Sequence, residues 1–320
     1  MKTKNCVLIT GAGGLIGLEL TKQLLDLGVK VIAVDSFINS ALNTFPTHEN
    51  LMLYTKDIRN IRAIDKIFKS NPGINAVIHL AAVHFIPYCD THPHETIDVN
   101  VRGTQNILEV MEKYKVKRLL FASTAAVYKP QSTPHNELDD IEPVDIYGDS
   151  KYMCEQLIKG NAAKTKIKYT ILRLFNVYGY GDANAHLIPD LLDQVIKTNQ
   201  IHIGNPSSLR DYISKYDVAR AFVLALSNNK SNNQIYNVGH ETPYSAQDIF
   251  NMLADLFRLY HNKELILNIN AESLLRVIDR PHLVSDTRKV RFELQWQPQF
   301  TLQDFLEEWA KGAYVTTRDI

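Results

Sequence analysis

The sequence predicts an α/β fold: a doubly wound parallel sheet with helices on both faces, followed by a smaller mixed α/β lobe. Two observations carry this. Short, β-branched apolar runs alternate with amphipathic helical stretches through the first half of the chain, the pattern of strands covered on both sides by crossover helices. After Phe175 the alternation loosens, and Gly179, Gly181, Pro189, Gly204, Pro206, Gly239 and Pro243 punctuate shorter elements. The expected division is a first domain over residues 1–174, rejoined by parts of 210–240, and a lobe drawn mostly from 175–320.

The strands expected are 6–10, 30–35, 51–56, 76–81, 118–123 and 168–173. Between the first two, Leu15, Ile16, Leu20, Leu24 and Leu27 recur at helical spacing, and Gly28 stands where a left-handed cap closes a helix. Longer helices are expected over 96–114 and 147–163. Ser245 and Thr301 each precede an Asp by three residues at the head of an apolar helical pattern, which reads as an N-cap with an acid in the first turn. Leu302–Lys311 reads as an amphipathic helix on the second lobe.

Composition excludes several functions. The 320 residues carry 35 basic and 35 acidic side chains, and 45% are hydrophobic. A nucleic-acid binder needs surplus Lys and Arg, and a disordered chain needs low hydrophobicity with high net charge. Cys6, Cys89 and Cys154 form no CxxC pair, so no disulfide framework or zinc site is expected. The apolar run after the first lysines meets a glycine-rich loop too soon for a signal peptide, and no run approaches the roughly 18 residues of a membrane helix. A cytoplasmic protein with no membrane partner is expected.

The segment Thr10-Gly11-Ala12-Gly13-Gly14-Leu15-Ile16-Gly17 follows a predicted strand and opens a predicted helix, with glycines at GxxGxxG spacing. That geometry suits a dinucleotide pyrophosphate, in a Rossmann-type arrangement. Gly11 permits the tight turn, Gly14 the approach of backbone to phosphate, and Gly17 close packing. Asp35 closes the second strand, 18 residues past Gly17. An acid there accepts from the adenosine ribose hydroxyls and repels a 2′-phosphate, so NAD is expected over NADP. Asp57 and Ile58, after the third strand, are candidates for adenine.

Tyr147 and Lys151 lie four apart, one turn along one helix face. A free phenol is a poor base at neutral pH, and a nearby ammonium favours the phenolate. Thr124, at the carboxyl end of the fifth strand, stands where open α/β sheets place their chemistry and can hydrogen-bond a reacting hydroxyl. Thr124, Tyr147 and Lys151 are the catalytic candidates.

At these residues the chain resembles the extended short-chain dehydrogenase/reductase family, in particular its nucleotide-sugar epimerases and dehydratases. The resemblance runs almost end to end: the glycine loop, His79 to Ala82, Asn100, Ser123 to Tyr128, Tyr147 to Lys151, Arg173 to Gly179, Arg210 to Ile213, Tyr236 to Gly239, and Arg280-Pro281. It implies NAD contacts from Leu15, Ile16, Asp35, Asp57, Ile58, Ala81, Asn100, Tyr147, Lys151 and Phe175. It also implies nucleotide-sugar contacts from Asn176, Leu187, Arg210 and Arg280, and two arginines do offer planar forks for a diphosphate.

Dehydratases of the resembled family place an acid directly after the Ser/Thr, whereas here Ala125 and Ala126 follow Thr124. Epimerisation needs no such acid: one hydride leaves C4 and one returns. The rivals are a keto-sugar reductase, which consumes reduced cofactor, and a non-catalytic NAD-sensing protein. The loop Val83 to Cys89 is bulky and aromatic, and His84 is a candidate to touch substrate. His92 and His94 lack a third ligand, so no metal is expected. UDP-sugars are favoured and TDP-sugars come next; room for a 2-acetamido group turns on Ser273 to Ile278. The resemblance implies a homodimer paired through the helices over 96–114 and 147–163, whose charged outward faces also admit a monomer.

Overall fold

A computed structural model describes residues 6–38, 45–269 and 280–312. The chain opens as β1 (Cys6–Thr10), α1 (Leu15–Asp26), β2 (Lys30–Asp35), β3 (Leu51–Thr55), α2 (Ile61–Ser70) and β4 (Ala76–His79). Short helices α3 (Ile86–Thr91) and α4 (Pro93–Ile97) lead through a π-helical turn at Asp98–Arg102 into α5 (Gly103–Lys113). Then come β5 (Arg118–Thr124), α6 (Ile146–Lys164), β6 (Lys168–Leu174), β7 (Asn176–Tyr178), α7 (Leu187–Lys197), β8 (Gln200–Ile203) and β9 (Leu209–Ser214). The remainder is α8 (Lys215–Ser227), β10 (Gln234–Val238), β11 (Pro243–Tyr244), α9 (Ala246–His261), β12 (Ile266–Ile269), β13 (His282–Leu283), α10 (Arg288–Leu294) and α11 (Leu302–Lys311).

Seven parallel strands form one sheet in the order β3-β2-β1-β4-β5-β6-β10. Strand residues alternate between two cores. Val7, Ile9, Val31 and Ile78 pack with Leu20, Leu24 and Phe222 of α1 and α8, while Leu8, Ile32, Val77 and Phe121 pack with Ile64, Ile107 and Ile158 of α2, α5 and α6. Burial on both faces is why these strands read as unbroken apolar runs. The order reverses between β1 and β4, and such switch points open a crevice at the strands' carboxyl ends.

Residues 215–238 return to this sheet as α8 and β10, but β9 does not: it pairs with β7, β11 and β13 in a second sheet. A third core gathers Leu191, Ile201, Tyr212, Leu253, Phe257, Leu306 and Trp309 from α7, β8, β9, α9 and α11. Ser245 caps α9 in a reciprocal box with Asp248, and Thr301 caps α11 by accepting from the Asp304 N–H at 3.0 Å.

Three expectations need correction. Leu27 is not on the buried face of α1; it is the C-cap residue and 64% exposed. The helix expected over 96–114 is interrupted at Asp98–Arg102 by the π turn, which buries Asn100. Strand β4 ends at His79 rather than at residue 81, because the chain turns away there toward the glycine loop. No helix among the described residues is long and apolar enough to cross a membrane.

Candidate active site

The glycine loop joins β1 to α1 at the switch point. Gly11 has φ +69°, and a Cβ on it would meet the Ala81 nitrogen at 2.6 Å. A Cβ on Gly17 would land on the Gly11 carbonyl oxygen. Gly14 is the N-cap of α1; no side chain caps the helix and its first turn holds no acid. The leading N–H groups at Leu15 and Ile16 therefore present a positive helix end to an anion. Asp35 braces the loop, accepting from Gly13 N at 2.8 Å on Oδ2 and from Phe37 N at 2.8 Å on Oδ1.

Asp57 stands at the exit of β3 in a 2.6 Å ion pair with Arg59. Partial burial pushes its carboxyl up, but hydrogen bonds and charge from Arg59 outweigh this and leave it below the usual range. Ile58 is buried, its methyls packed where a Gly103 side chain would otherwise stand.

A buried chain of polar groups ties the strand ends to α6, and sequence reasoning saw it only as scattered family residues. Thr104 donates to the Asn100 carbonyl at 2.6 Å, so its oxygen accepts from His79 Nε2–H at 3.0 Å. His79 Nδ1 then accepts from Thr10 at 2.6 Å. Burial pushes this imidazole down to about 3, keeping it neutral. The Asn100 amide clasps Val83, accepting from its N–H at 2.8 Å and donating to its carbonyl at 2.9 Å, and donates to Ser150 of α6 at 2.9 Å. Its placement orders the loop after β4. π-Helical turns such as the one holding it recur at functional sites.

Asp145 caps α6 by accepting from Gly148 N at 2.7 Å. Gly148 is needed there: a Cβ would strike the Ala126 carbonyl in the turn after Thr124. This close seating brings Tyr147 to Thr124, whose hydroxyl also accepts from Ala126 N at 3.1 Å. Burial pushes the Tyr147 phenol well above 10; the Thr124 hydrogen bond opposes this, and Cys89 and Asp145 add to it. Lys151 is 2% exposed, with Nζ 4.2 Å from the centre of the Phe121 ring. Burial pulls its ammonium down to about 8, against the Cys154 and Glu155 side chains. The leading influences on the phenol thus come from burial and Thr124, not from the ammonium one turn on.

The arginines expected to meet a diphosphate come together. Arg210 Nη1 donates to the Arg280 carbonyl at 2.6 Å. Arg280 donates to Asp145 Oδ2 at 2.7 Å and to the Ala126 carbonyl at 2.9 Å, so its guanidinium reaches the N-terminal end of α6. Asn176 begins β7 opposite Tyr212, and Leu187 is the first residue of α7. Phe175 is buried with Ala125, Val127, Tyr128 and Leu283. Ser273 to Ile278 lie outside the described residues.

His84 is exposed to solvent, although neighbouring protein groups crowd its ring. That crowding, then His186, pulls its imidazole below 6.5; Asp182 opposes and Lys151 reinforces the shift. His92 stacks on Tyr88 at 4.0 Å, and no group of three His, Cys, Asp or Glu among the described residues is arranged to hold a metal. Cys89 is buried, which pushes its thiol up to about 11 and keeps it inert. The residues missed from sequence were Thr10, Ser150, Asp145, Asp182 and His186. Asp145 alone left a readable signal, as an acid one residue ahead of a helix.

A profile of the NAD dependent epimerase/dehydratase family matches residues 7–239. A UDP-glucose 4-epimerase of Streptococcus mutans is 30% identical over 316 residues, covering 92% of each chain. A UDP-glucuronate 4-epimerase of Thermodesulfobacterium geofontis is 29% identical and covers 95% of each. The solved UDP-glucose 4-epimerase of Thermotoga maritima with UDP-glucose superposes with a TM-score of 0.83 at 26% identity, over 98% of both chains.

Proposed function

The chain belongs to the NAD dependent epimerase/dehydratase family, and from that premise we propose that it inverts C4 of a UDP-sugar through a transient 4-keto sugar. The observation that carries the reading is the seating of Tyr147 against Thr124 with only buried alanines, Ala125 and Ala126, where a dehydratase needs its acid. The Asp145 carboxylate, at the head of the same helix, is committed to Gly148 N and Arg280. NAD fits the uncapped N-terminus of α1 and the Asp35 carboxylate at the end of β2. When bound, it supplies the hydride acceptor and donor and a positive ring that favours the phenolate.

The chain's own residues do the rest. Tyr147 Oη takes the sugar 4-hydroxyl proton and returns it on the other face, and Thr124 orients that hydroxyl. Lys151, held in a low-dielectric pocket, adds positive charge beside the reacting centre and holds ribose hydroxyls. Arg210, Arg280 and Asn176 meet the diphosphate, and Leu187 and His84 line the substrate side. The cycle is redox-neutral, so no second substrate is needed. Similarity to the UDP-glucose and UDP-glucuronate epimerases supports uridine as the base. We place the enzyme in the cytoplasm, in keeping with its three free cysteines. We further propose a homodimer paired through α5 and α6, where Met153 is 48% exposed.

The test is incubation with UDP-, TDP- and GDP-sugars without added cofactor, following the sugar protons by NMR. Interconversion of 4-epimers is expected for UDP-sugars; turnover only of keto-sugars with added NADH refutes the reading. Tyr147→Phe removes the proton carrier and lowers turnover by about 10²–10⁴-fold while NAD stays bound. Near-normal turnover of that variant refutes the role of the phenol.

A further inference from the structure

We propose that His84 and His186 form a latch across the mouth of the cleft, keeping the oxidised sugar inside while it turns to offer its other face. This rests on the epimerase reading. The two rings come from segments far apart in the chain: His84 from the loop after β4, and His186 from the residue just ahead of α7. They stack with centres 5.7 Å apart and 26° between planes, and Phe85 meets His186 edge-on at 5.5 Å.

Both sides are anchored. A carboxylate only accepts, so His186 Nδ1–H donates to Asp182 Oδ2 at 2.7 Å, fixing the ring. The Asp182 side chain is 6% exposed. On the other side Val83, next to His84, is clasped through N–H and carbonyl by Asn100. Two braced segments thus meet through a single layer of rings.

The chemistry calls for such a contact. On oxidation the C4 hydrogen leaves with its electron pair for NAD and the hydroxyl proton goes to Tyr147. The keto sugar must then let go, rotate and recover both. If it escapes, the electron pair stays behind, and each lost molecule leaves one enzyme with reduced cofactor. A ring stack of this kind shifts an opening equilibrium by roughly 2- to 12-fold.

The test uses the holoenzyme and its His84→Ala, His186→Ala and His186→Phe variants. Amide hydrogen exchange over residues 83–89 is measured, together with free 4-keto sugar trapped by hydroxylamine and weighed by mass spectrometry during UDP-sugar turnover. Both alanine variants are expected to exchange faster in the loop by roughly 2- to 12-fold and to release more keto sugar per epimerisation by a similar factor. His186→Phe keeps a ring and falls between. Unchanged loop exchange in both alanine variants overturns the latch, whatever the activity. Faster exchange without added keto sugar overturns its role in retention. Absence of any 4-epimer from the wild type counts against the epimerase reading, and the exchange result still decides the latch.

Discussion

Asp145 does two jobs with one carboxylate, and replacing it separates them. Oδ1 caps α6 through Gly148 N at 2.7 Å, and Oδ2 holds Arg280 at 2.7 Å with the two side chains 9% and 6% exposed. Loss of an N-cap costs about 1 kcal/mol, and orphaning one member of a buried ion pair costs about 3–5 kcal/mol. Asp145→Ala is therefore expected to lose up to about 6 kcal/mol, a large share of the roughly 5–15 kcal/mol that holds a domain together. Asp145→Asn still caps the helix and should lose about 3 kcal/mol, the low end of the ion-pair cost. Urea unfolding measures both. The Asn variant also separates charge from structure. The Asp145 carboxylate pushes the Tyr147 phenol up, so its removal lets the phenol ionise more readily and moves the rising limb of the rate–pH profile to lower pH. An Asn variant as stable as the wild type, or one whose limb stays or moves up, refutes the reasoning.

The other predictions concern the nucleotide loop and pH. Gly17→Ala forces a Cβ onto the Gly11 carbonyl and to 2.7 Å from Ala12 backbone atoms, an overpacking cost of about 1–3 kcal/mol that titration should read as roughly tenfold weaker NAD binding. Gly28→Ala is the control: at φ +73° with nothing within 4 Å, it should lose about 1 kcal/mol of stability and leave NAD affinity unchanged. Asp35 repels a 2′-phosphate, so NAD should bind more tightly than NADP and Asp35→Asn should narrow the gap; tighter NADP binding by the wild type refutes that role. His79 titrates at about 3 when folded against 6.5 in the open chain. The unfolded state then binds more protons between those values, so stability is full above pH 6.5 and falls as pH drops toward 3, by up to about 1.4 kcal/mol per pH unit. His79→Gln should flatten that slope in acid unfolding.

Local signals made much of the fold legible. Strands buried on both faces must be apolar throughout, so β1, β2 and β5 stand out as runs. The caps at Ser245 and Thr301 are short-range hydrogen bonds between residues close in sequence, and Gly11 and Gly17 reflect backbone approaches that no side chain survives. Leu27 misled because helical spacing alone does not mark where the last turn leaves the core.

What the sequence by itself determined is therefore the parallel sheet, the glycine loop with Asp35, and the Thr124, Tyr147 and Lys151 set, since each is written in residue type and spacing. The tertiary structure alone decided that Arg280 crosses 135 positions to reach Asp145, that Asn100 clasps Val83 and Ser150, and that His84 meets His186. It also decided that burial and Thr124, rather than Lys151, dominate the phenol. These depend on long-range packing and on the local dielectric, and neither leaves a period or a spacing along the chain.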